Sequence, residues 1–163
     1  MTHPGDHAVH RLAAPLSLAQ ATTIVDAALA AGRAAELEPL TVAVLDGGGH
    51  LLALKREDGS GILRPQIAIG KAWGALGMGV SSRTLSRRLA ERTAFQGALA
   101  AASDGRFVAV PGGVLVRGAG GEVIGAVGIS GDTSDKDEYA AIAGVRAAGL
   151  EPDPQTAVEN WQG

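Results

Sequence analysis

The sequence contains no cysteine, which excludes disulfides, thiolate metal sites, iron–sulfur clusters and a cysteine nucleophile together. Aromatic residues are scarce as well, 3% of 163 residues, so few side chains are available to wall a large flat ligand. Neither sign of charge dominates. Fourteen basic and 17 acidic side chains give a net −3, and no global field draws the chain to nucleic acid or an anionic membrane. No apolar stretch approaches the ~20 residues of a membrane span. Met1–Ala14 has neither the apolar core of a signal peptide nor an amphipathic Arg/Ser pattern. A cytoplasmic location is the expectation.

What the chain has instead is glycine, 24 residues of it, and alanine, within an ordinary apolar content of 46%. Small side chains let helices and strands approach closely, but each buries little area. A broad subunit interface is the expected compensation, hence a homo-oligomer. The length fits one domain: an N-terminal arm over 1–15, expected to be disordered, a body over 16–150 and a tail over 151–163.

Ser17 and Gln20 form a capping box opening a helix with Leu18, Ala21, Ile24, Val25, Ala28 and Leu29 at helical spacing. Leu40–Leu45 and His50–Lys55 are apolar, strand-like runs joined by the glycine-rich Asp46–Gly49, which reads as a hairpin. Ser60–Gly79 is helical, with Pro65 in its first turn and apolar residues nearly all round, so burial is expected. Gly70, Gly74 and Gly77 within it point to close packing against another backbone. A short basic helix follows at Ser82–Ala90, then one opened by a Thr93/Gln96 capping box and running to Ala102. Phe107–Val110, Val114–Arg117 and Glu122–Ser130 read as strands, the last apolar on both faces and therefore central. Ser134, with Asp137, caps a last helix ending at Gly149. The order predicts five antiparallel strands with helices packed on them, an α+β plan.

Several positions suggest chemistry. Asp46 and His50 put a carboxylate and an imidazole at the two ends of one turn, and His50 is the single histidine outside the arm. It is the candidate haem ligand or general base; the alternative is a surface turn whose Asp bonds its own backbone. Lys71 has Ile67, Gly74 and Ala75 around it on the helix. A desolvated lysine becomes a nucleophile or anion anchor, whereas one that snorkels keeps its charge in water. Pro111-Gly112-Gly113 offers backbone N–H groups to a carboxylate, or is simply a tight strand connection. Asp132, where the central strand meets the last helix, is a candidate general base in an acidic first turn. Arg64 adds charge near Lys71, the Arg83/Arg87/Arg88 cluster reads as a solvated face, and His3, His7 and His10 lie on the arm.

Three segments taken together, LTVAVLDGGGHLLALKREDGSG (40–61), IAIGKAWGALGMG (67–79) and VPGGVLVRGAGGEVIGAVGISGDTSDKDE (110–138), resemble the GlcG/HbpS family, which includes the C-terminal domain of PduO proteins. The resemblance implies a profilin-like, three-layer fold with a five-stranded antiparallel sheet, and oligomers from dimers to octamers. It also implies haem binding, sensing or degradation. The matching positions are Asp46, Gly48, His50, Arg56, Lys71, Gly112, Gly113, Gly131, Asp132 and Asp137. The first expectation is haem held between the sheet edge and the Lys71 helix, with His50 on the iron, Lys71 and Arg64 on the propionates and Gly112 and Gly113 beside them. The second is a small hydroxy- or oxo-acid whose carboxylate meets Lys71 and the Gly112–Gly113 amides, with Asp132 or His50 as proton carrier. A structural oligomer with a vestigial pocket is the third.

Overall fold

The computed structural model describes residues 9–163. His3, His7 and most of the N-terminal arm lie outside the described residues. Ten elements follow in chain order: α1 (Leu18–Ala34), β1 (Thr41–Asp46), β2 (Leu51–Arg56), α2 (Arg64–Met78), α3 (Ser82–Leu89), α4 (Thr93–Ala102), β3 (Gly113–Arg117), β4 (Val123–Ser130), α5 (Ser134–Ala147) and β5 (Glu151–Asp153). The strands form one antiparallel sheet in the order β2-β1-β4-β3-β5. The fold is α+β with three layers, as the sequence implies.

Strand alternation sorts the core into two sides. Val42, Val44, Val114, Val116, Val127 and Ile129 face α1 and α5, where Ile24, Val25, Ile142 and Val145 meet them. Leu45, Leu115 and Ala126 face α2, packing on Ala72 and Ala75. The Ser17/Gln20 capping box is present at the start of α1.

The glycines that bring α2 close to the sheet belong to the strands. Gly113 and Gly128 are cross-strand partners, and Ala43 pairs with Gly128 on the other side, giving a row of minimal side chains. A Cβ on Gly128 would lie 1.9 Å from the Ala68 carbonyl oxygen, and one on Gly113 2.3 Å from that of Lys71. Only glycine admits a helix backbone so near. Gly70 and Gly74 make room on another flank, for Arg106, Phe107 and Val108.

That flank corrects one expectation. Phe107–Val110 is not a strand; the segment lies on α2, where Val108 N–H donates to Gly70 O at 3.4 Å. The fifth strand is β5, within the 151–163 segment expected as a tail, paired with β3 through Leu115, Val116 and Arg117. Two expected caps are also absent. Arg92 occupies the N-cap of α4 and Thr133 that of α5, neither with a side-chain cap bond.

Candidate functional site

Lys71 is the best-defined polar centre. Its backbone is set by the close approach of α2 to Gly113, and its side chain turns inward until the residue is 2% exposed. Nζ donates to Asp137 Oδ2 at 2.8 Å, and Asp137 Oδ1 accepts from the Asp132 N–H at 3.0 Å. Asp137 is itself 1% exposed. The bend before β3 closes over this pair. Gly112 has φ 114°, and a Cβ there would sit 2.9 Å from Lys71 Nζ. The Gly113 N–H donates to the buried Ser82 Oγ at 2.7 Å. Arg64, at the start of α2, donates to Ser130 Oγ at 3.1 Å.

Burial pushes the Lys71 ammonium below its ordinary value; Asp137 opposes this and Arg64 adds to it. Burial likewise raises the Asp137 carboxyl, against the pull of Lys71 and Arg64. Each partner's charge is thus tolerated because the other is present. Next along α5, Glu138 is fully buried, and burial raises its carboxyl to about 7 despite Arg83. Arg83 Nη1 lies 3.3 Å from Glu138 Oε1, an ion pair without a hydrogen bond. Both carboxylate oxygens lack a hydrogen-bond donor among the described residues.

Lys71, Gly112 and Gly113 are therefore brought together, with Arg64 at their edge. His50 is elsewhere. It follows the end of β1 where Asp46 pairs with Gly125, whereas Lys71 lies level with Gly128 and Ile129; three to four strand residues, roughly 10–13 Å, separate the two levels. The His50 side chain is 83% exposed, with Nδ1 3.3 Å from Asp46 Oδ1. The same oxygen accepts the Gly48 and His50 N–H groups, each at 2.9 Å. Asp132 faces away from Lys71, accepting from the Glu38 N–H at 2.9 Å and the Thr133 N–H at 2.7 Å. Burial works to raise its carboxyl, but these amides and Lys136 outweigh that and hold it below the ordinary value.

Two partners escape a reading of the sequence. By sequence Asp137 reads as a helix cap and Arg83 as part of a solvated face, yet both turn inward. The signal was in the spacing of α5: Asp137, Ala140, Ala141 and Gly144 form one helical row and Glu138, Ala141, Ile142 and Val145 another, so both carboxylates stand on the apolar stripe.

The Lys71 centre is filled, its Nζ paired with Asp137 and 2.9 Å from where a Gly112 Cβ would stand. The β1–β2 turn is open to solvent. The Asp46 contact at Nδ1 leaves the exposed Nε2 as the free nitrogen. Trp73 lies 3.3 Å from where a Gly49 Cβ would stand, with the Arg106 guanidinium 4.5 Å from its ring centre. A cleft of about 300 Å³ beside the turn is lined by Pro15, Leu16, Asp46, Leu52, Val123 and Ile124 among others. That cleft opens on the α1 side of the sheet, whereas Trp73 lies on the α2 side; on the α2 side an imidazole, an indole and a guanidinium are the groups that would ligate, stack on and pair with a haem.

Comparison with known proteins bears on the same chemistry. No curated protein matches the chain. Among solved structures, the PduOC:heme complex is 25% identical with a TM-score of 0.75, covering 83% of this chain and 96% of that one. HbpS is 28% identical with a TM-score of 0.69, covering 90% and 97%. The Klebsiella pneumoniae protein ORFY is 25% identical with a TM-score of 0.75, covering 82% and 90%. The family model described as "Haem degrading protein HbpS-like" matches residues 16–146, from just before α1 to the penultimate residue of α5, and on that match the chain belongs to the HbpS-like family.

Proposed function

We propose that this protein is a haem-associated small-molecule-binding protein, serving in haem binding, sensing or degradation, with His50 at the exposed β1–β2 turn as the residue that would hold the iron. The observation that carries this is the Asp46–His50 arrangement, in which one ring nitrogen is engaged and the other is open to solvent. A carboxylate on the far nitrogen orients the ring and raises its basicity as a ligand. Haem, when bound, supplies the iron-centred redox chemistry, and Arg106 is the cation nearest Trp73 to meet a propionate. Titration with hemin tests this reading. A saturable Soret band that is lost or displaced in His50→Ala is the expected result. A band that His50→Ala leaves unmoved removes the ligand assignment, and no saturable band removes the function.

The buried Lys71–Asp137 pair favours a second reading, a binder or enzyme for a small hydroxy- or oxo-carboxylic acid. The acid would displace Asp137 from Lys71 and draw on Arg64. A thermal-shift screen with two- to five-carbon acids tests it; a stabilising hit lost in Lys71→Ala supports it, and a panel without a shift counts against it.

We also infer a homo-oligomer, acting as a cytoplasmic protein. Among the described residues no helix is long and apolar enough to cross a membrane. Helix α4 has no buried residue and residues 93–102 carry no charge. It borders an apolar cleft of about 140 Å³ that includes Trp73, Met78, Leu99 and Phe107. The occupant that fits is a second copy of α4, since an uncharged helix meets itself across a two-fold axis without like-charge repulsion.

A further inference from the structure

Residues 154–163 lie along α5 and are tied to the body at three places, two on α5 and one on α3. Arg146 Nη2 donates to Gln155 O at 2.6 Å, and Trp161 stacks on Tyr139 with ring centres 3.7 Å apart and planes 3° from parallel. The third tie is Arg83, on α3, whose Nη2 donates to Thr156 O at 2.9 Å. The other terminal nitrogen of the same guanidinium faces Glu138 Oε1 at 3.3 Å. One arginine thus joins the chain end, on the outside, to a fully buried carboxylate beneath it. Two clefts, of about 460 and 330 Å³, share Arg146 and Thr156 in their linings, so the segment also walls both.

We propose that residues 154–163 form a strap latched by the Glu138–Arg83 pair, closed when Glu138 is ionised and released when it takes up a proton. Arg83 is the one group with both contacts. While Glu138 is an anion the guanidinium stays over it and its second nitrogen remains on Thr156. A neutral Glu138 exerts no such hold, and the guanidinium is then free to turn its head out to water and off Thr156. The charged groups around Glu138 are Arg83 and Arg87 from α3, Asp135 from its own helix and Lys71 from α2. Lys71 is committed to Asp137 and Arg87 is exposed, which leaves Arg83 as the responsive partner. Burial places the transition near neutrality, at about 7.

Fluorescence of Trp161 in the full chain provides the test. The sequence has two tryptophans, so Trp73→Phe leaves Trp161 as the single reporter. Acrylamide quenching measured from pH 8.5 to 5.5 is expected to rise through one transition near 7. Around the midpoint the ratio of released to latched strap changes about tenfold per pH unit, as for one proton. Adding Glu138→Gln is expected to remove the transition and hold quenching at the low-pH level throughout. Arg83→Gln is expected to give that same level while leaving the buried carboxylate in place, so it decides the matter should the Glu138 variant not fold. A flat profile in the Trp73→Phe protein overturns the proposal. So does a transition that survives Glu138→Gln, or a strap that stays protected without Arg83.

Discussion

Removing one member of the Lys71–Asp137 pair strands the other charge in the interior. Lys71→Met is expected to destabilise the fold by about 3–5 kcal/mol, and the double variant Lys71→Met/Asp137→Leu to recover most of that loss. Urea unfolding of the parent and the two variants measures it. The Lys71→Met deficit should shrink as pH falls. Burial already raises the Asp137 carboxyl, and without its cation the folded state takes up a proton more readily than the unfolded chain does. Glu138 obeys the same sign. Its folded value of about 7 lies above its ordinary 4.5, so its favourable contribution is complete below 4.5 and lost as pH rises through about 7. Glu138→Gln removes the ionisation, and is expected to match the parent in acid and exceed it above pH 7 by up to about 3 kcal/mol. Chemical denaturation at pH 5 and pH 8 distinguishes the two arms. The burial of Lys71 was legible in its sequence neighbours, whose apolar side chains leave an ammonium little water. Its partner was not, because Asp137 stands 66 positions away and its first-turn place suggests a cap. His50 was legible as a turn residue, but nothing local in the sequence gives its distance from Lys71.

At the scale of elements, α2 is positioned by the side chains the strands lack. Gly128→Ala would place a methyl group 1.9 Å from the Ala68 carbonyl oxygen, a backbone atom unable to rotate away. The expected loss is at the upper end of overpacking, about 3 kcal/mol or more, read as a lower midpoint in thermal unfolding. Gly97→Ala is the control: nothing lies within 4 Å of its added Cβ, and alanine favours an exposed helix by about 1 kcal/mol. The same geometry explains which elements the sequence revealed. Runs with both strand period and sheet partners, such as Thr41–Asp46 and Val123–Ser130, were evident from pattern. Phe107–Val110 has strand composition, but its backbone lies against Gly70 of α2, a tertiary contact that overrides propensity. Glu151–Asp153 has the opposite character. Its centre is Pro152, which suits an edge position, and it becomes a strand because β3 offers it a partner.

For the whole molecule, α4 is the element the monomer leaves unused. Ala98→Glu puts a charge on its exposed face and is expected to move the species in sedimentation velocity towards monomer without altering the circular dichroism. An unchanged distribution would exclude α4 from the interface. The strand order carries a consequence for synthesis. Thr41 pairs with Ser130 and Asp46 with Gly125, so the inner edge of β1 waits 79 to 89 residues for its neighbour. A ribosome adding about 5–20 residues per second leaves that hairpin half-paired for several seconds, with Val42 and Val44 uncovered. Nascent chains stalled before Val123 should therefore be bound by chaperones, and chains released beyond Ser130 much less so.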